Sequence, residues 1–334
     1  MEEDRQGRRY PPNLQGVLQL AVEAGSAAEG PAPTEPMSDE RKTWLRDALA
    51  EVGKGQMDEV EQMKRCVALL RQEGTNKGEQ EGEEERDEDH EDERESAFEI
   101  LSELCENLDN ARDLMTLGGL ELCLSQYLCH PQSGLRWRAA ELIACCAQNM
   151  PQVQVYLLSN GALPKLLQLT DSDSNATVRV KALYAVSCLV REQEAGLQAF
   201  LSHDGFSVLM RGMQTGNEKV RTKSAFLLFN LLTSHAEQKD TVLSMGMVQQ
   251  LVSVLRTTHS PFHEHVLGAL CCLVEECPQG LKDCRNPALN LEELLRQRSR
   301  ELRGKEESQE ELDFCERLRV ACFRGQHDEN GMDR

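Results

Sequence analysis

Between residues 119 and 255 one phrase occurs four times, and that recurrence limits the fold more than any other feature. A glycine opens GLELCLSQYL at Gly119, GALPKLLQL at Gly161, GFSVLMRGM at Gly205 and GMVQQLVSVL at Gly246, in steps of 42, 44 and 41 residues. Longer apolar stretches keep the same register. LRWRAAELIACCAQN starts at Leu135, VRVKALYAVSCLVRE at Val178, VRTKSAFLLFNLLTS at Val220 and FHEHVLGALCCLVEE at Phe262, with ESAFEILSELCEN (95–107) as an earlier member. Self-similarity at such a period marks a stack of small units that share one continuous core.

Residues 175–214 show one unit: a long helix, a short helix and a third helix. Val178, Ala182, Leu183, Val186, Leu189 and Val190 keep a helical period, so one stripe of the long helix is apolar and faces inward. Gly196 follows the last turn, and Gly205 stands between the two later helices where a left-handed backbone is easily adopted. A unit this small cannot bury its stripe alone. Three helices in about 42 residues predict an all-α, armadillo-like repeat solenoid over 95–278, wound as a right-handed superhelix. Two-helix repeats of similar length are the near alternative.

Residues 1–36 read as a flexible segment ending in a Pro/Gly/Ala/Glu stretch. It contains one apolar island, NLQGVLQLAVEAG, in which Leu14, Val17, Leu18 and Ala21 share a helix face. Ser38 is placed to cap a helix through Trp44 and Leu49, and a second helix over 57–72 completes a capping hairpin, 37–74. An acidic linker, 75–94, follows; its run EQEGEEERDEDHEDERE reads as a solvated segment. Pro131 and Pro261 precede or open long helices, Pro151 begins a helix, and Ser260 is expected to cap the last one. Past 278 the phrasing changes: two more helices within 279–324 are expected to close the array, before a polar tail, 325–334.

With aromatic residues at only 4% and a net charge of −20, the chain favours an all-helical protein and argues against nucleic acid as a partner. Thirteen cysteines suggest disulfides until their positions are read. Cys105, Cys123 and Cys146 occupy apolar-periodic positions, where thiols behave as small hydrophobes. No signal peptide or membrane span is read, so a reducing compartment, cytosolic or also nuclear, is expected.

On the opposite line of the long helix in 175–214 lie Val180, Tyr184, Ser187, Cys188 and Arg191. The same columns hold Trp137, Glu141, Cys145 and Gln148, then Thr222, Phe226, Phe229, Asn230 and Thr233. The first unit contributes Glu95, Glu99, Glu103 and Glu106; the fifth, Glu264, Gly268, Cys271, Cys272 and Glu275. The middle of this line is aromatic and its ends are acidic. Since each long helix already has a complete apolar stripe elsewhere, the leftover aromatics are candidate interface anchors.

His259, His263 and His265 stand near Cys271, Cys272, Cys277 and Cys284. However, Cys271 and Cys272 diverge by about 100° around a helix, so no metal site is assigned. No phosphate-binding loop, nucleotide fingerprint, nucleophile elbow or HExxH motif occurs, and His203 beside Asp204 falls in a helix–helix turn. Neither an enzyme nor a cofactor is expected.

The phrases GLRWRAAELI, TVRVKAL, SCLVREQEAG, DGFSVLMR, KSAFLL, SMGMVQQLV, HSPFHEHVLGALC and NLQGVLQLAVEAG closely resemble the Hsp70-binding and Fes family, armadillo-type nucleotide exchange factors of the 70-kDa heat-shock chaperone. The resemblance runs from about residue 11 to the C-terminus. It implies a non-enzymatic co-chaperone whose concave groove grips one lobe of the chaperone's ATPase domain while its bulk displaces the other, so that ADP leaves. It also implies damping of chaperone-assisted ubiquitination, and so an indirect link to a ubiquitin ligase. An N-terminal peptide entering the chaperone's substrate cleft is implied as well, here with Leu14, Val17, Leu18 and Val22. Carried onto matching phrases, the groove contacts are Trp137, Glu141, Val180, Tyr184, Arg191, Phe226 and Asn230.

The alternative is an armadillo adaptor for an extended peptide or cargo protein. Importin-type grooves carry a Trp ladder and an Asn ladder. At those positions this chain has Glu99, Glu141, Tyr184, Phe226 and Gly268, with Glu103, Cys145, Cys188, Asn230 and Cys272. A nuclear-signal receptor is therefore disfavoured.

Overall fold

The computed structural model describes residues 59–72, 83–191 and 193–324. Ser38, the apolar island with Leu14, Val17, Leu18 and Val22, and the tail 325–334 lie outside the described residues. The chain divides between Arg65 and Cys66 into two compact units, and the second of them carries the repeats.

After α1, which is helical through residue 71, come α2 (Glu83–Leu104), α3 (Leu108–Thr116), α4 (Gly119–Ser125), α5 (Ser133–Ala147), α6 (Pro151–Ser159), α7 (Ala162–Ser172) and α8 (Ala176–Val190). They continue as α9 (Glu194–Ser202), α10 (Gly205–Met213), α11 (Glu218–Ser234), α12 (Lys239–Ser244), α13 (Met247–Leu255) and α14 (His263–Val274). The last three are α15 (Pro278–Cys284), α16 (Leu291–Leu302) and α17 (Gln309–Phe323). No strand occurs among the described residues. The long helices α2, α5, α8, α11, α14 and α17 pack side by side in one layer, with the shorter helices stacked behind. This is an armadillo-like solenoid.

The expected inward stripe forms the core: Val178, Ala182, Leu183, Val186, Leu189 and Val190 are all buried. At about 1.5–3 kcal/mol per fully buried large aliphatic side chain, repetition of that stripe from helix to helix holds the stack together. Cys105, Cys123 and Cys146 lie in the same core as free thiols. Burial pushes the Cys123 thiol up to about 12, which keeps it protonated.

Both glycine expectations for 175–214 need correction. Gly196 lies inside α9, not after a helix, and a Cβ there would sit 1.8 Å from the Leu189 carbonyl oxygen. It is glycine because two backbones cross. The left-handed residue of that unit is Asp204 (φ 52), whereas Gly205 is needed because a Cβ would meet the Phe200 ring at 2.3 Å. Left-handed residues therefore stand at Gly118, Gly161, Asp204 and Gly246, which places them 43, 43 and 42 apart. Each caps the second of two short helices that lead into the next long helix, so the structural unit runs short, short, long, and the first complete one is α3–α4–α5.

Asn290 (φ 43) continues this series 44 residues after Gly246 and caps α16. The helices expected to close the array thus repeat the geometry of a full unit, α15–α16–α17, with α17 joining the long-helix layer. Two further expectations change. The acidic run is helical from Glu83 and leads into the first long helix. Ser260 does not cap α14, whose N-cap is Phe262; its hydroxyl instead donates to Glu218 at 3.5 Å. Pro151 opens α6 as expected.

Candidate functional site

The face of the long-helix layer turned away from the core carries the expected column. Trp137 and Tyr184 are half-buried, whereas Phe226 is 40% exposed, one of few large apolar side chains so open to solvent. Val180, Glu141 and Asn230 are half-buried on the same face, and Arg191 is exposed where α8 ends. Not every aromatic is free. Phe229 lies over Gly268, where a Cβ would come within 2.9 Å of its ring, and meets Phe314 edge-on at 5.7 Å. Phe229 is therefore the joint between α11, α14 and α17.

A second column, one residue further along each helix, escaped the sequence reading: Arg138, Lys181, Lys223 and His265, in steps of 43, 42 and 42 residues. Its members lie against the aromatic column. The Arg138 guanidinium is 4.2 Å from the Trp137 ring centre and the Lys181 ammonium 5.7 Å from it. Lys223 stands 5.4 Å from the Tyr184 ring, Arg191 5.9 Å from Phe226, and the His265 ring crosses Phe226 at 5.3 Å. Such contacts fix ring orientation and contribute about 0.5–1 kcal/mol each at exposed sites. The same 42-residue register that revealed the aromatics would have revealed these basic residues.

The carboxylates of the face are not free ends either. Arg138 is held between Glu95 (2.9 Å) and Glu99 (2.7 Å), and Lys181 pairs with Glu141. Tyr184 donates its hydroxyl proton to Gln148 at 2.9 Å. Burial raises the Tyr184 phenol and pushes the Cys188 thiol up to about 11, so both are neutral near neutrality. Burial lowers His265. Asn230 spends its amide on its own helix, donating to the Phe226 carbonyl at 2.7 Å. The surface thus presents aromatic rings flanked by cations, an arrangement suited to binding rather than to bond making.

His259 and His263, weighed for a metal, face each other at 5.7 Å. Their nitrogens are engaged with Glu311 (2.8 Å), Arg298 (2.9 Å) and Thr257 (3.3 Å). No helix among the described residues is long and apolar enough to cross a membrane.

Two family models match: the SIL1/FES1/HPBP1 C-terminal domain over residues 110–248 and nucleotide exchange factor Fes1 over residues 14–114. The chain is 56% identical to Hsp70-binding protein 1 of Rattus norvegicus over 327 residues, covering 98% of this chain and 90% of that one. The human protein of the same name is equally similar. Hsp70 nucleotide exchange factor FES1 of Coccidioides immitis is 41% identical over 101 residues, covering 30% of this chain and 47% of that one. Among solved structures, a designed armadillo repeat protein superposes with a TM-score of 0.60 at 17% identity, over 78% of this chain and 99% of that one. That likeness is one of fold.

Proposed function

The chain belongs to the SIL1/FES1/HPBP1 family, and we propose that it binds the ATPase domain of Hsp70 through the open face of its long helices and accelerates ADP release. The observation that carries this reading is the pairing of aromatic and cationic columns around Phe226, in a chain so similar to Hsp70-binding proteins. Aromatic and Arg side chains are the usual energetic anchors of protein interfaces.

No chemistry of its own is required. A partner opens a nucleotide cleft only by binding the open form better than the closed one. Each tenfold gain in ADP release corresponds to about 1.4 kcal/mol of that preference. A stiff array suits the task, because strain imposed by docking falls on the two lobes of the ATPase domain rather than on the solenoid. Trp137, Glu141, Val180, Tyr184, Arg191, Phe226 and Asn230 form the docking face. Residues 13–25 serve as a peptide for the chaperone's substrate cleft, and occupancy of the chaperone restrains its ubiquitin ligase partner. The cytosol, and also the nucleus, is the compartment this role requires.

The adaptor reading rests on acidic residues free to take a basic segment, and it is weakened because Glu95 and Glu99 already pair with Arg138 and Glu141 with Lys181. The decisive experiment loads the Hsp70 ATPase domain with fluorescent ADP and adds this protein. Accelerated loss of fluorescence is expected; an unchanged rate at micromolar protein overturns the proposal.

A further inference from the structure

The second short helices are not all fastened to one another alike. Counted from the left-handed caps, Asp171 is the tenth residue after Gly161 and Arg211 the seventh after Asp204. These two join α7 to α10, the guanidinium donating to both carboxylate oxygens at 2.7 and 2.9 Å. The same positions hold Gln214 and Ser253 at the next joint, and Arg256 and Gln297 at the joint of α13 with α16. There the cation stands on the other wall and has no acid to meet. Both side chains turn away: Arg256 donates to the Leu289 carbonyl, and Gln297 to Glu301 at 2.8 Å.

A cleft of about 570 Å³ opens where that bridge is missing. Its volume falls in the range of about 300–1,000 Å³ common to ligand sites. Arg256 stands at one end, beside the cap residue Asn290, and Glu301 at the other, with Leu255, Ala288 and Leu294 among the lining between them. Other charges of the lining are paired. Glu293 lies 3.8 Å from Arg296, and Arg298 3.0 Å from Glu311, which also accepts from His259. Among the described residues neither Arg256 nor Glu301 has a charged partner, and both are exposed. The cleft therefore keeps one positive and one negative end. No residue of the docking face lines it.

Spacing narrows the occupant. Asn290 and Glu301 are eleven residues apart, about 16 Å along α16 at about 1.5 Å per residue. A metabolite-sized ligand does not reach both ends. An extended chain, at about 3.3 Å per residue, covers the span in about five residues.

We propose that this cleft is a second binding site, taking an extended segment of a partner polypeptide with an acidic side chain at Arg256, a basic one about five residues away at Glu301, and an apolar one between them against Leu255 and Leu294. The incoming carboxylate gives Arg256 what Asp171 gives Arg211. The two charged ends fix the register of the segment, and the apolar middle adds buried area. The site is formed by the shorter helices behind the long-helix layer and does not depend on the exchange-factor reading.

The test uses the full chain and a fluorescein-labelled hexapeptide, Glu-Ser-Val-Ser-Ser-Arg, followed by anisotropy. Saturable binding below about 1 mM is expected. A peptide with its Glu and Arg only two residues apart should bind about fivefold more weakly, and Arg256→Gln and Glu301→Gln should each cost about fivefold. Both positions are exposed, and melting curves check that the fold is kept. Arg256→Glu should lose the first peptide and gain Lys-Ser-Val-Ser-Ser-Arg, a reversal that a merely loosened fold does not produce. ADP release from Hsp70 should be the same for Arg256→Gln and the wild type. No saturable binding by wild type up to about 5 mM, or equal affinity for both spacings, overturns the proposal. A loss of ADP release in Arg256→Gln would merge the cleft with the docking face and remove the second site. Binding that appears only after residues 325–334 are deleted would give the cleft to the chain's own tail, and the partner assignment would be wrong. The peptide titrations decide the site whether or not the exchange reading holds.

Discussion

Arg298 of α16 donates from Nη1 to Nδ1 of His263 at 2.9 Å, at a register where three earlier units carry an arginine of their own. Arg136 donates to the carbonyls of His130 and Pro131, Arg179 to that of Thr170 and Arg221 to that of Thr215. Each ties the first turn of its long helix to the segment just before it, the loop for Arg136 and Arg221 and the last turn of α7 for Arg179. The fourth unit has His263 at this position, and Arg298 reaches across from the next unit to donate to Leu255 O at 3.0 Å. Glu311 of α17 closes the cluster, 3.0 Å from Arg298 Nη1, with both residues over nine-tenths buried. The last unit is therefore fastened through a borrowed arginine.

Arg298→Ala should accordingly be among the most damaging single changes in the C-terminal third. It leaves the Glu311 carboxylate buried without its strongest partner, which typically costs about 3–5 kcal/mol. Replacing both partners together, Arg298→Met with Glu311→Leu, should recover most of the loss, because no charge is then stranded. Urea unfolding of the three variants checks this. A loss below about 1 kcal/mol for Arg298→Ala would mean that the ion pair holds nothing together.

Acid should loosen the same region. Burial, then the charges of Arg298, His259 and Arg221, press His263 down from the ordinary histidine value to about 3. The unfolded chain therefore binds a proton here between about pH 6.5 and 3 where the folded chain does not. This contribution to stability is complete above about pH 6.5 and is lost as pH falls toward 3. Burial moves His130 and His265 in the same direction, so a single substitution is needed to isolate the effect. His263→Gln, which keeps an acceptor for Arg298, should lower stability at pH 7 but reduce its fall between pH 6.5 and 4. Equal slopes for variant and wild type would exclude His263 as the source.

The repeat, its buried stripe and the aromatic column were legible because each recurs as side-chain chemistry at a fixed spacing. What escaped was carried by backbone conformation or by neighbouring registers. The left-handed position is glycine in three units, but Asp204 and Asn290 also adopt it, since a short polar side chain tolerates αL. Phrases anchored on glycine therefore placed Gly205 one residue late and missed the last unit. The cation column stayed hidden because a helix face is wider than one i, i+4 line. Phe229 could not be told from Phe226 without Gly268, which sits on a different helix and makes room for one ring only.

Glycines of the two kinds should respond differently to alanine. At Gly196 the new methyl would stand 1.8 Å from a backbone carbonyl that cannot rotate away. Gly196→Ala should cost several kcal/mol, at the upper end of overpacking penalties of about 1–3 kcal/mol or beyond. Gly161 has φ +71 and nothing within 4 Å of a Cβ, so Gly161→Ala meets only left-handed strain of about 1–2 kcal/mol. Thermal melts of the pair measure the difference, and equal losses would show that helix crossing at Gly196 has slack.

Phe226 and Phe229 offer the sharpest separation of binding from folding, because they are three residues apart on one helix and do different work. The Phe226 ring is 40% exposed and lies beside Arg191 and His265 on the open face. Phe226→Arg should leave stability within about 0.5 kcal/mol. It should also weaken binding to the Hsp70 ATPase domain by about 2 kcal/mol or more, about 30-fold, as expected of an interface anchor. Phe229→Ala removes the ring packed over Gly268 and against Phe314, so it should cost about 2–3 kcal/mol of folding stability through the cavity it opens between α11, α14 and α17. Its effect on affinity should follow only from that loosening and should shrink at lower temperature, where the fold holds. Measuring ADP release and urea stability for both variants resolves the two roles. Were Phe226→Arg to unfold the chain while Phe229→Ala abolished binding with full stability, the assignments would be reversed, and the docking face would have to be moved toward α14 and α17.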